Sequence, residues 1–228
     1  MIQLLKYDII LQWRQRFWLI YIIISILYTL VLLNIDVNSR YLVSVLLVLS
    51  DTTLLGLIFV GAIILLEKQQ NLLQSIFVTP LRLSTYLLSK GLSLVAISLV
   101  MSLVIVVVPN GVPENPLIKI VVIILSSLTF TFIGIALSTR VTSVNDYIGT
   151  VMLGTFWIII PVIPFLMHEH LWWLIIFPVN AAIELLIHPV QDVPLLHLIV
   201  SVASMLSWCI FSFSWAHRRF LRHVIRGC

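Results

Sequence analysis

The sequence predicts an all-α integral membrane protein with six transmembrane helices. Three observations carry that expectation. First, 61% of the 228 residues are hydrophobic and only 10% are charged, whereas soluble domains average about 45–50% apolar and about 25% charged. A soluble fold of this composition could not cover itself with polar surface, which excludes an ordinary cytosolic enzyme, a disordered chain and a nucleic-acid-binding module. Second, the apolar residues form runs of about 20, the length that crosses a bilayer as a helix. Third, the basic residues are sided. With six spans and both ends cytoplasmic, Lys6, Arg14, Arg16, Lys68, Arg82, Lys90, Arg140, Arg218, Arg219, Arg222 and Arg226 lie inside, and Arg40 and Lys119 outside, accounting for all thirteen. Eleven against two satisfies the positive-inside rule. The net charge of +4 is therefore topological information and does not indicate a nucleic-acid partner.

The elements follow in chain order. Over 1–16, Leu5, Ile9, Trp13 and Phe17 recur at i, i+4, while Lys6, Asp8, Gln12, Arg14, Gln15 and Arg16 supply polar surface. That pattern suits an amphipathic helix lying in the cytoplasmic interface. No small-x-small cleavage site follows the basic residues, so no signal peptide is expected. Span one covers 17–33 and ends at the polar stretch from Asn34 to Arg40. Span two covers 41–66 and carries Ser50, Asp51, Thr52 and Thr53 near its middle. Residues 67–80 form a short amphipathic helix stopped by Pro80, with Leu72, Leu73, Ile76 and Phe77 on one face. Span three covers 86–108 and ends in the turn-forming run from Pro109 to Pro116. Span four covers 117–138, a short loop follows, and span five covers 147–167.

Residues 168–194 are apolar at Trp172, Trp173 and Ile175 but broken by Pro178, Pro189 and Pro194. They suit short re-entrant helices on the outer side, tolerated at membrane depth only under protein or water. A seventh span here would move the basic tail outside. Span six covers 195–216. The whole of 1–228 makes one transmembrane domain, and no stretch is left for a soluble domain. Cys209 and Cys228 suggest no disulfide framework.

Few residues could carry chemistry. Placing Asp51 at a helix centre costs about 2.5–3.5 kcal/mol on insertion scales, so it should face the bundle interior, a partner or water. With Thr52 it is a candidate for a transport path or a dimer seam; a helix–helix hydrogen bond is the plainer alternative. His168, Glu169 and His170 do not share a helix face, and with His188 and Asp192 in loops no metal site is expected. Trp13, Trp18, Trp172 and Trp173 read as interface anchors. Gly56, Gly61 and Ala62 would permit close helix approach. The helix at 67–80 is either a connector in the interface or a stiff lever that docks on a soluble motor.

Glu67-Lys68 followed by Leu73, then Val78-Thr79-Pro80-Leu81-Arg82 and Tyr86-Leu87-Leu88-Ser89-Lys90, resembles the signature of ABC-2 type transporter permeases. Ile133 to Ser138 with Arg140, and Phe177-Pro178-Val179-Asn180, are similar to that family's fourth span and outer segment, although Asn-Pro is usual at the latter. The resemblance implies a coupling helix at 67–80, with Glu67, Leu73, Phe77 and Pro80 in the coupling region and Arg140 in a second, smaller contact. It also implies pairing with a second permease, self or paralogue, and docking of a cytosolic ABC ATPase in a prokaryotic cytoplasmic membrane. No G-x-x-x-x-G-K-[ST] loop occurs, so no cofactor is expected on this chain and ATP and Mg would belong to the ATPase. The expected activity is export of a hydrophobic or amphipathic substrate: a drug, a peptide or a lipid-like molecule. Alternatives are a haem or polysaccharide conduit, or a non-transporting immunity or scaffold subunit. An intramembrane enzyme would need convergent groups inside spans, and His168, His170 and His188 fall in loops.

Overall fold

The computed structural model describes residues 2–70, 72–73, 81–113, 115–166, 172–187 and 195–225. Among them the regular structure is helical throughout and no strand occurs, in line with the all-α expectation. Helix α1 (Ile2–Arg14) meets α2 (Phe17–Leu33) at a 70° bend. The bend is made at Arg16, which adopts a left-handed conformation with φ 58°, one that costs a non-glycine residue about 1–2 kcal/mol. Helix α3 runs Val37–Gln69 and contains a π turn at Leu55–Phe59. Helix α4 (Leu83–Asn110) ends where Pro109 removes a donor and Gly111 turns left-handed at φ 79°. Helix α5 (Pro116–Ser138) starts on a proline, whose missing N–H would be unpaired there in any case.

Helix α6 (Val144–Ile159) is capped by Ser143. The Ser143 hydroxyl accepts from the Asp146 amide at 3.1 Å and donates to the Asp146 carboxylate at 2.6 Å. Then come α7 (Val162–Leu166), a 3-10 turn at Trp172–Ile176, α8 (Pro178–Ile187) and α9 (Leu195–Phe220), prolonged by a π turn at Leu221–Ile225.

Among the described residues, four helices are long and apolar enough to cross a membrane: Val37–Gln69, Leu83–Asn110, Pro116–Ser138 and Leu196–His223. The bent α1–α2 pair makes a fifth if counted as one. Helix α6 has 16 residues, about 24 Å, which is short of a hydrocarbon core of about 30 Å. The apolar side chains left exposed, such as Leu19, Ile23 and Leu27 on α2, Met152 and Leu153 on α6, and Ile210 and Phe211 on α9, suit contact with lipid tails.

Helix α5 sits at the centre and packs on α3, α4, α8 and α9. Its approach to α3 is set by two glycines. A Cβ on Gly134 would stand 2.7 Å from the Gly56 carbonyl oxygen, and one on Gly56 would stand 2.8 Å from the Thr131 amide nitrogen. These are backbone atoms that cannot move aside, so only glycine fits both positions. At the same level Tyr147 of α6 donates its hydroxyl to the Leu57 carbonyl in the π turn and lies 3.2 Å from the Gly134 carbonyl. At one end of the bundle Arg40 donates to the carbonyls of Ile35 at 3.0 Å and Pro109 at 3.3 Å, tying the ends of α2 and α4.

Of the helix expected over 67–80, Glu67, Lys68 and Gln69 instead continue α3, Gln70, Leu72 and Leu73 are also described, and Asn71 and 74–80, with Phe77 and Pro80, lie outside the described residues. Of the outer segment 168–194, 172–187 is described; His168, Glu169, His170, His188 and Asp192 lie outside.

Candidate functional site

The densest polar cluster lies where α1, the end of α3 and the start of α4 meet. Lys90 of α4 is 1% exposed, Asp8 of α1 1% and Glu67 of α3 2%. The Lys90 ammonium donates to Asp8 Oδ1 at 2.6 Å and to Glu67 Oε1. The second oxygen of each carboxylate is also occupied. Ser89 donates to Asp8 Oδ2 at 2.6 Å and Tyr86 donates to Glu67 Oε2 at 2.5 Å. One turn along, Gln12 donates to Ser93 at 2.9 Å. So Asp8 and Gln12 on α1 face Ser89, Lys90 and Ser93 on α4, each set spaced by one helical turn. With all three groups ionised the cluster carries two negative charges against one positive. A buried ion pair is tolerated at this depth only when its remaining polar atoms are hydrogen-bonded, and here the second oxygen of each carboxylate takes such a bond.

This corrects the reading of α1. Asp8 and Gln12 are not solvent-facing polar surface; they are buried, and α1 lays a polar stripe onto α4 while Tyr7, Ile10 and Trp13 point outward, Trp13 at 65% exposure.

The other candidate coupling residues lie near this junction or outside the described chain. Leu73 is buried, packed in an apolar cluster with Leu83, Tyr86, Leu87 and Phe220. The next residue after Glu67, Lys68, donates to the carbonyls of Ser138 at 2.8 Å and Thr139 at 3.0 Å, capping the C-terminus of α5. Arg140 is exposed and its Nε lies 3.4 Å from His223 Nε2.

Asp51 and Thr52 sit apart from that cluster, within α3. Both are buried. Thr52 donates back to the Leu49 carbonyl of its own helix at 3.1 Å. Asp51 Oδ2 has no hydrogen bond among the described residues, and on α2 neither do the Tyr21 hydroxyl and, one turn along, the Ser25 hydroxyl.

A third polar group had a signal in the sequence that went unread. His197 and Ser201, at i, i+4 on α9, both approach Glu184 of α8, at 3.4 Å and 3.5 Å. The carboxylate lies between the imidazole and the hydroxyl, so it joins two helices and does not form a nucleophile–base pair.

The profile of the fluoroquinolones export permease protein family matches residues 1–227. Fluoroquinolones export permease proteins from two strains of Mycobacterium tuberculosis are each 30% identical to this chain over 143 residues. The matched part is 63% of this chain and 60% of each relative's own length. Both findings agree with an ABC-2 type permease. On the near full-length profile match, the chain belongs to the fluoroquinolones export permease protein family.

Proposed function

We propose that this chain is the transmembrane subunit of an ABC exporter in a prokaryotic cytoplasmic membrane. Six spans, with α6–α7 as the fifth, would place both termini and the Lys90 cluster on the cytoplasmic side. Two permeases, identical or paralogous, would form the conduit, and separate cytosolic ABC ATPases holding ATP and Mg would drive it. The cargo would be hydrophobic or amphipathic; the relatives are named for fluoroquinolone export.

The observation that carries this reading is the Asp8–Lys90–Glu67 cluster. It joins three helices at the foot of segment 67–80. A push on that segment by a motor would move the ends of α3 and α4 and the interfacial helix together. A passive connector has no need of such a rigid joint. Glu67 and Lys68 sit at the hinge, one bound to α4 and the other to the end of α5. Leu73, buried beneath, would hold the lever to the bundle, leaving Phe77 and Pro80 for the docking face and Arg140 for a second contact. Asp51 and Thr52 would line the path or the seam.

Affinity purification of the tagged chain from its host's membranes is expected to recover an ABC ATPase. Phe77→Glu is expected to cut that recovery by about tenfold or more, the usual cost of losing a buried aromatic anchor. Recovery unchanged by this substitution would put the docking face elsewhere.

A further inference from the structure

A serine or threonine inside a helix has a ready partner, the carbonyl three or four residues back along its own chain. Ser50 and Thr52 on α3, Ser93 on α4, and Ser126 and Thr129 on α5 all take it, at 2.8–3.1 Å. Four buried hydroxyls on α4 and α5 have neither this bond nor any other among the described residues. They belong to Ser98, Ser102, Ser127 and Thr131. Asp51 Oδ2 on α3 is likewise buried and without a hydrogen bond.

Helix register gathers these groups. Helices α3, α4 and α5 pack on one another in pairs. Val48 of α3, Ile105 of α4 and Ile123 of α5 belong to one apolar cluster. One turn from that layer, toward the Lys90 end, come Asp51 (three residues past Val48), Ser102 (three before Ile105) and Ser127 (four past Ile123). Spacings of three and four keep each on the helix face that its apolar neighbour presents to the cluster. Ser98 and Thr131 follow one turn further on.

The charge of Asp51 has no counterpart here. No basic group stands within ion-pair distance of it among the described residues. Lys90 lies twelve residues before Ser102, about 18 Å along α4, and Lys119 eight before Ser127, about 12 Å along α5. A lone carboxylate at this depth must be neutralised. A proton would do that for Asp51, but would give the serines no reason to forgo their own carbonyls. Water would meet the hydroxyls and leave the charge. A hard cation meets both, because it takes oxygen ligands and carries the missing charge. One carboxylate balances one positive charge, so a divalent ion would leave a surplus in the apolar interior.

We propose that Asp51, Ser102 and Ser127 form an intramembrane site for an alkali-metal cation, with Ser98 and Thr131 supplying the next tier of oxygens. The ion would tie α3, α4 and α5 together one turn from the π turn at Leu55–Phe59, an irregularity of the kind that accompanies functional sites. Binding stands apart from the exporter reading. A role in transport, with the ion held until alternation parts the three helices, rests on it.

The test uses the purified full chain in phosphatidylcholine nanodiscs without any ATPase. Radioactive sodium is the probe, read by equilibrium dialysis with choline chloride holding the ionic strength. Saturable binding is expected. Asp51→Asn should weaken it by about tenfold or more, and so should Ser102→Ala combined with Ser127→Ala, the scale of losing a charge-assisted contact. Ser50→Ala should leave it unchanged, since that hydroxyl is committed to the Leu47 carbonyl. Thermal unfolding of each variant in choline separates loss of binding from loss of fold. No saturable binding, or binding retained by a folded Asp51→Asn, would overturn the site. So would an infrared band of a protonated carboxyl at saturating sodium that Asp51→Asn removes, since the occupant would then be a proton. Sodium binding in a chain that recovers no ATPase would leave the site standing and sink the exporter reading.

Discussion

Lys90→Met is expected to lower the stability of the bundle by about 3–5 kcal/mol, the cost of stripping one partner from a buried ion pair. For a chain of this size that is about 10 °C in thermal unfolding in detergent. The substitution keeps the volume of the side chain but leaves Asp8 and Glu67 both buried with no cation between them. The sharper expectation lies in the contrast. Asp8→Asn or Glu67→Gln leaves one carboxylate on one ammonium, and each asparagine or glutamine can still accept from Lys90. Either should therefore cost clearly less than Lys90→Met. Restoring balance by combining Asp8→Asn and Glu67→Gln with Lys90→Met should recover part of the loss. If Lys90→Met melts with the unaltered chain, the cluster does not join the three helices.

Gly134→Ala is the second large expectation. Its Cβ would stand 2.7 Å from the Gly56 carbonyl oxygen and 2.9 Å from that of Leu57. Helices α3 and α5 must then separate, and the Tyr147 hydroxyl loses its fit between the Leu57 and Gly134 carbonyls. Overpacking costs about 1–3 kcal/mol and a lost hydrogen bond about 1 kcal/mol. The sum, about 2–4 kcal/mol, should again be read by thermal unfolding. Gly149→Ala is the control. Nothing stands within 4 Å of a Cβ there, so the helix should gain slightly from alanine. If the two substitutions have equal effects, the close approach is not what holds α3 to α5.

These two sites also show what a single sequence can convey. The helices were legible because apolar runs of bilayer length announce themselves whatever they pack against. Glu67 and Lys90 were legible only through resemblance to a family signature, and Asp8 was misread. A polar stripe on an amphipathic helix looks the same whether it faces water or a second polar stripe. The one available clue was the matching one-turn spacing of Asp8 and Gln12 with Ser89 and Ser93.

The π turn at Leu55–Phe59 left no trace in the hydropathy, since one extra residue per turn does not change composition. Gly56 was noticed for its size, but its partner Gly134 lies on another helix, and spacing along one helix cannot reveal a contact between two.

The most direct measurement of the central claim is ATP hydrolysis by the co-purifying ATPase in lipid vesicles, with and without this chain. The account expects hydrolysis to rise when the intact permease is present and to return to the rate of the free ATPase with Phe77→Glu. An ATPase whose rate is the same with the intact chain, with the variant and with no permease at all would contradict it.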